Sequence, residues 1–108
     1  MSEHFIEISE LAAFYEKLLS DRQREIVRYY YYDNLSLTEI AENLGISRNA
    51  VYDALQKAEK ALYGYEDKLH LLSNYRFRMA KYSQLAQVQE ENVKRIVNEL
   101  INKEEDYE

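Results

Sequence analysis

Apolar side chains recur every three or four residues along most of this chain, the spacing that places them on one face of an α-helix. The first such stripe covers residues 11–19 and follows a start, residues 1–8, that we expect to be loosely packed. Ser20 and Gln23 can form a capping box for a second helix, which is predicted to end at the turn-forming residues 33–34. The pattern therefore predicts an all-helical chain.

A helix, a tight turn and a second helix are predicted for residues 35–62, LSLTEIAENLGISRNAVYDALQKAEKAL. Ser36 and Glu39 can form a capping box at the start of the first helix. Gly45 allows the left-handed backbone that the turn needs, and Ser47 can cap the second helix. The two helices are expected to pack through Ile40, Ala41, Leu44, Ile46, Val51 and Leu55. All these features together favour a helix-turn-helix over a plain hairpin within a helical bundle.

Polar side chains that follow the turn are predicted to point outward, where they could contact bases or phosphates. Ser47 and Arg48 would anchor phosphates, as would Thr38 at the start of the preceding helix. Asp53 suits a cytosine amino group but repels phosphate, and Lys57 would touch the nucleic-acid backbone. The candidate nucleic-acid-binding residues are Thr38, Ser47, Arg48, Asn49, Tyr52, Asp53, Gln56 and Lys57.

A heptad-like seam continues beyond this motif. Its apolar residues follow one another in alternating steps of four and three: Val51, Leu55, Ala58, Leu62, Tyr65, Leu69 and Leu72. A helix over residues 48–72 would be about 37 Å long at ~1.5 Å per residue, more than a few short helices can cover. Either the C-terminal helix folds back onto the seam or a second copy packs there, and its unpaired length favours a homodimer through the long C-terminal helices.

The predicted organisation is one domain over residues 1–108. Its helix-turn-helix core covers about 21–62, extended and C-terminal helices cover 63–102, and a disordered tail covers 103–108. The long helix is expected to break at Ser73-Asn74. The polar residues 87–92 either interrupt the last helices or are simply exposed. The predicted fold class is therefore all-α, a helix-turn-helix with long C-terminal helices.

Four consecutive tyrosines at residues 29–32 cannot all be buried, because neighbours on a helix point about 100° apart. Two of them are expected to enter the core. Such a run could stack on bases or form a partner surface. Filling of an amphipathic core, with hydroxyls at its rim, is the interpretation that we favour.

Composition agrees with a helical globular protein. The 108 residues are 46% hydrophobic and 31% charged, with no proline and only two glycines to break helices. The chain lacks cysteine, which fits a reducing compartment. The N-terminal residues have no basic region or long apolar run, and no stretch approaches the ~20 apolar residues of a membrane span. We therefore expect a cytoplasmic protein without a membrane span.

Charge argues against strong autonomous binding to DNA. The whole chain has 14 basic and 20 acidic residues, a net charge of −6. Within residues 21–62 the sequence has 6 basic side chains (Arg22, Arg24, Arg28, Arg48, Lys57, Lys60) and 7 acidic ones. Since most affinity for DNA comes from neutralising phosphates, weak binding or binding within a larger complex is expected.

No catalytic, cofactor or metal site is expected. His70 follows Glu66 by four residues, which places both on one helix face, but zinc sites need a third ligand nearby. Serine residues lack a neighbouring base, and a glycine-rich phosphate loop is missing. The scattered carboxylates are the solvated faces of helices. We therefore predict that this protein is not an enzyme.

A resemblance to a known family follows from these motifs. Residues 21–62 resemble the region-4 DNA-binding domain of bacterial sigma factors. Over about residues 8–80 the chain is similar to the YlxM family of small bacterial proteins, through the segments YYYYDN, SLTEIAENLGISRNAVYDAL and YEDKLHLLSNY. Members are encoded beside the signal recognition particle GTPase. The resemblance therefore implies a regulator in that targeting pathway, with the RNA or protein of the particle as partner.

Two functions stay open at this point. One is a sigma-like regulator that binds DNA or RNA. The other is a protein-interaction module that kept the fold, because Gln56, Ala58 and Glu59 stand where sigma-type recognition helices usually carry arginines. A basic patch that folding assembles would favour nucleic acid, and its candidate members are Arg22, Arg28, Arg48 and Lys57. Its absence would favour a protein partner.

Overall fold

The structure is a computed structural model and describes residues 2–106. Its helices are α1 (Glu3–Tyr15), α2 (Asp21–Val27), α3 (Leu37–Leu44), α4 (Arg48–Leu69), α5 (Leu71–Leu85) and α6 (Glu91–Glu104). A 3-10 turn at Glu16–Leu18 follows α1, and a turn of π-helix at Arg28–Tyr32 follows α2. No strand occurs within residues 2–106. The predicted all-α fold class is confirmed.

The chain divides into two compact units. The first ends at His70 and contains α1 to α4, and the second begins at Leu71 and contains α5 and α6. None of the helices in the described part of the chain is long and apolar enough to cross a membrane. The organisation as one domain stays a prediction.

Helix α4 is the centre of the first unit, where it contacts α1, α2 and α3. Its buried residues are Val51, Leu55, Ala58 and Leu62, the first four members of the predicted seam. The other helices contribute Ile8, Leu11, Ala12, Tyr15, Ile26, Val27, Ile40 and Ala41. Apolar burial at these positions, each worth roughly 1.5–3 kcal/mol for a large side chain, holds the unit together.

The start of the chain is better ordered than its sequence pattern predicts. Helix α1 begins at Glu3, because the Ser2 hydroxyl caps it by accepting a hydrogen bond from the Phe5 amide at 3.1 Å. Ile8 is completely buried. The expectation of a loose segment over residues 1–8 was therefore wrong for the described residues.

The tyrosine run adopts π-helical geometry rather than continuing α2. Only Tyr31 is buried, whereas Tyr32 is 45% exposed and the first two tyrosines are half-buried. The Asp33 amide donates to the Arg28 carbonyl five residues earlier, and Asn34 then takes a left-handed conformation with φ 58°. The helical segment ends at residues 33–34, as predicted. One tyrosine of the run is buried, whereas two were expected.

The long helix breaks earlier than predicted. Helix α4 ends at Leu69, and His70 takes a left-handed conformation with φ 56°. The expected break at Ser73-Asn74 was wrong, because both residues lie inside α5. Since the seam is interrupted, Leu69 is 50% exposed instead of continuing the buried stripe.

The C-terminal part separates into two helices. Residues 86–90 connect α5 to α6, so the polar segment does interrupt the helix. Glu90 caps α6 by accepting hydrogen bonds from the amides of Asn92 and Val93, both at 3.0 Å. Helix α6 reaches Glu104, two residues into the segment predicted as a disordered tail. Residues 107–108 of that tail lie outside the described residues.

Among the described residues, three tyrosine–glutamate hydrogen bonds, each donated by the tyrosine hydroxyl, connect α4 to the segments around it. Tyr15 donates to Glu66 Oε1 at 2.6 Å, and Tyr63 donates to Glu7 Oε2 at 2.9 Å. The third bond joins Tyr31 to Glu59. These bonds link α1 and the π-turn to α4 at the edge of the apolar core. A charged acceptor makes each stronger than a bond between neutral groups.

The bond between Tyr63 and Glu7 predicts a pH dependence. Burial, followed by this hydrogen bond, raises the pKa of Tyr63 to about 12. Unfolded tyrosine has a pKa of about 10, so the stabilisation is complete below pH 10 and is lost as the pH rises towards 12.

In a titration of phenolate absorbance, the difference between wild type and Tyr63→Phe should show a transition near pH 12. Glu7→Gln should move that transition towards lower pH, because the carboxylate disfavours the phenolate. A Tyr63 transition near pH 10 in the folded protein would contradict this assignment.

Candidate nucleic-acid interface

Side-chain caps define both helices of the predicted motif. The Glu39 amide donates to the Ser36 hydroxyl at 3.1 Å, and the Glu39 carboxylate accepts from the Ser36 amide at 3.0 Å. These bonds with Ser36 lower the pKa of Glu39. At the second helix, the Ser47 hydroxyl accepts from the Ala50 amide at 3.0 Å. The predicted capping box and the predicted cap are confirmed.

The turn between the helices depends on one glycine. Gly45 ends α3 in the left-handed conformation with φ 67°, and its amide donates to the Ala41 carbonyl. The Ile46 amide donates to the same carbonyl at 3.1 Å, which closes the turn. The direction in which α4 leaves the turn is thereby set by backbone geometry that a residue with a Cβ rarely adopts.

The structure places all eight candidate residues on the surface. Thr38 lies in the first turn of α3 and Ser47 caps α4. The other six form what we call the outward face of α4: Arg48, Asn49, Tyr52, Asp53, Gln56 and Lys57. Since Val51 and Leu55 are buried on the other side of the helix, its first three turns present a continuous polar surface. The roles of these residues stay predictions.

The arginines at and after α2 have carboxylate partners. On α2, Arg22 lies 3.7 Å from Glu25 and Arg24 lies 3.6 Å from Asp21. Arg28 lies 2.5 Å from Glu16, and this hydrogen bond raises the pKa of Arg28. All three arginines of residues 21–28 are therefore paired with carboxylates.

A groove beside the outward face was not predicted from the sequence. It has a volume of about 220 Å³ and shares Tyr52 and Gln56 with that face. Its other walls include Phe5 from α1, Tyr31 from the π-turn and Glu59 from α4. Two features of the sequence indicate that α1 extends far enough to form this wall. Ser2 can cap the helix, and Ile8 extends its apolar stripe towards the N-terminus.

The capped α3, the left-handed turn and the exposed start of α4 define a helix-turn-helix protein. The model of the family described as "UPF0122: Putative helix-turn-helix protein, YlxM / p13 like" matches residues 2–103. The chain therefore belongs to the UPF0122 family, and the resemblance inferred from the sequence motifs is confirmed.

Relatives from lactic acid bacteria and streptococci agree with this assignment. A UPF0122 protein of Pediococcus pentosaceus is 46% identical over 78 residues, which are 72% of this chain and 69% of the relative. The UPF0122 protein YofM of Lactococcus lactis is 48% identical over 83 residues, 70% of this chain and 75% of the relative. One from Streptococcus pneumoniae is 45% identical over 78 residues, 72% of this chain and 71% of the relative.

The two glycines allow a matched test of the turn. At Gly45 and at Gly64, an added Cβ would meet no atom within 4 Å apart from those of the adjoining residues and of the helix's own backbone. Gly45→Ala should lower the free energy of unfolding by about 1–2 kcal/mol, because alanine disfavours the left-handed backbone. Gly64→Ala, inside α4, should raise it by up to about 1 kcal/mol. Urea unfolding of both variants checks the prediction, and shifts of the same sign would contradict it.

Proposed function

We propose that this protein is a cytoplasmic helix-turn-helix regulator that binds nucleic acid through the outward face of α4. The resemblance to the YlxM family further suggests a role in the signal recognition particle pathway. The nucleic acid would then be DNA or the RNA of the particle. No catalytic step is part of this proposal.

The observation that carries the proposal is the contrast between two sets of cations. Arg48 and Lys57 lie exposed on the outward face, and neither forms an ion pair with any residue that the structure describes. Arg22 and Arg28 on α2 are paired with carboxylates of the same unit. Nine residues separate these two cations, so at about 100° per residue they lie at opposite edges of the outward face, with the hydrogen-bonding side chains between them. Such an arrangement is suited to phosphates on the two sides of a groove and to the base edges between them.

Such a face supports modest affinity. Each phosphate neutralised contributes about 0.9 to the salt slope on duplex DNA, and two unpaired cations are few. Asp53, on the same face, opposes phosphate contact. The protein is therefore proposed to bind weakly alone and to act within a larger assembly.

A protein-interaction module is the second candidate function. The pairing of Arg22, Arg24 and Arg28 with carboxylates favours it, because these side chains would otherwise extend the positive surface. In this case the helix-turn-helix is a scaffold, and the partner is a protein such as the GTPase of the particle.

A titration against mixed-sequence duplex DNA and against signal recognition particle RNA, at low and at physiological salt, separates these candidates. Arg48→Ala with Lys57→Ala should weaken binding and lower the salt slope by about 2, roughly 1 for each cation. The control variant is Lys17→Ala with Lys68→Ala, which removes the same charge from exposed positions outside the outward face. Its affinity and salt slope should change little. Absence of binding to both nucleic acids at low salt, or equal losses in the two double variants, would reject the nucleic-acid proposal.

Self-association through the second unit is a further part of the proposal. Among the described residues of this unit only Leu72 and Val97 are buried apolar side chains. On α6, Ile96 is 48% exposed and Leu100 is 39% exposed, one helical turn apart and beside Val97. A two-helix hairpin with so small a core usually requires oligomerisation, and a second copy would cover this stripe.

Light scattering after size-exclusion chromatography tests the dimer. Wild type should have twice the 13.0 kDa mass of one chain. Ile96→Glu with Leu100→Glu should give a monomer, because four carboxylates would then be buried in the dimer interface. Asn98→Glu with Asn102→Glu adds the same charges on the opposite side of α6 and should leave the dimer intact. A monomeric wild type at high protein concentration would contradict the proposal.

A further inference from the structure

The groove beside α4, which we call the aromatic groove, is built from three separate parts of the first unit. Phe5 and His4 come from the start of α1, Tyr30 and Tyr31 from the π-turn, and Tyr52 and Glu59 from α4. Its volume of about 220 Å³ is below the roughly 300–1,000 Å³ of pockets for drug-sized ligands. A single side chain is therefore a better match to its size than a nucleotide or cofactor.

Ring contacts hold the walls of the aromatic groove in place. The centroids of Phe5 and Tyr31 are 4.9 Å apart, and those of Tyr30 and Tyr31 are also 4.9 Å apart with the planes at 81°. Such tilted and edge-on pairs are favourable geometries for aromatic rings. Tyr52, on the α4 wall, is 48% exposed. The groove thus has packed walls and one accessible aromatic side chain.

Glu59 gives the aromatic groove its charge. Its side chain is only 14% exposed. Tyr31 donates a hydrogen bond to Oε1, and His4 Nε2 lies 3.8 Å from the same oxygen. No hydrogen bond between described residues ends on Oε2. Among the described residues that line the groove, this carboxylate is the only fixed charge.

A carboxylate beside aromatic rings favours a cation. Aromatic faces attract cations, and the attraction grows as water is removed. Arginine suits the site better than lysine, since its planar guanidinium stacks on aromatic rings, is weakly hydrated and can donate to a carboxylate. The same negative charge disfavours a phosphate-bearing guest. The net charge of −6 adds a long-range attraction for basic segments.

We propose that the aromatic groove binds an arginine side chain presented by a basic segment of a partner protein. Glu59 accepts a hydrogen bond from the guanidinium, and the plane of the guanidinium stacks against Tyr52. This interaction does not depend on nucleic-acid binding. The groove shares Tyr52 and Gln56 with the outward face of α4, so a basic partner and a nucleic acid would compete for these side chains.

The test uses three blocked pentapeptides in which arginine, lysine or uncharged citrulline stands between paired glycines. Each is titrated into the whole ¹⁵N-labelled protein, and amide shifts are followed by NMR. The arginine peptide should shift the amides of Phe5, Tyr30, Tyr52 and Glu59, and should bind about threefold tighter than the lysine peptide. The citrulline peptide should not bind measurably.

Glu59→Gln keeps an oxygen that can accept from Tyr31 and should weaken the arginine peptide about tenfold, the usual loss for a charged hydrogen bond. Glu42→Gln, at an exposed position on α3, removes the same charge elsewhere and should have little effect. Binding to duplex DNA should not weaken in Glu59→Gln, so failure of this proposal is distinguishable from failure of the nucleic-acid proposal. A melting curve checks that each variant is folded, and the comparison of peptides on wild type stands without either variant.

Three outcomes would overturn the proposal. Equal binding of arginine and lysine peptides, with shifts spread over the acidic surface, would indicate general electrostatic attraction. Equal losses in Glu59→Gln and Glu42→Gln would exclude a specific role for this carboxylate. Shifts at the groove residues caused by a single-stranded RNA oligonucleotide, with none caused by the arginine peptide, would identify the groove as a base-stacking site instead.

Discussion

Burial of one stripe of α4 is the constraint on which the first unit depends. The buried residues of this stripe, which face α1, α2 and α3, are Val51, Leu55, Ala58 and Leu62. Without α4, the other helices of this unit would therefore have no shared core. The same helix presents the candidate interface on its other side. Because one rigid element carries both the core and the polar face, the packing of the core also determines where that face is directed. The stability of the unit and the direction of the candidate interface therefore depend on the same helix.

The tyrosine–glutamate bonds explain part of the unusual composition. The chain has 11 tyrosines and 20 acidic residues, and three of these pairs join α4 to the segments around it, as for Tyr15 with Glu66 and Tyr63 with Glu7. Glu16 likewise holds Arg28. Many carboxylates thus hold the unit together. The negative net charge is in this respect a property of the fold, and it opposes the approach of phosphate groups.

Features set by local chemistry could be predicted from the sequence, whereas features set by distant contacts could not. The capping box at Ser36 and the left-handed Gly45 follow from short-range hydrogen bonding and sterics, and both are present. The break at His70 has no such signal, because a non-glycine residue rarely adopts a positive φ. Ordering of the first turn of α1 likewise depends on burial of Ile8 within the unit.

The same distinction applies to the two candidate sites. The outward face lies on one helix, so its spacing was visible in the sequence. The aromatic groove brings together Phe5, Tyr31 and Glu59, whose separation along the chain exceeds fifty residues in total and leaves no periodic pattern. The groove forms because α1 and the π-turn both contact α4. The outward face has two cations without an ion pair among the described residues, and the neighbouring groove has one half-buried carboxylate. These two adjacent surfaces therefore have opposite charge preferences. The two proposals together therefore favour a partner that carries both phosphate and basic protein, as a ribonucleoprotein does.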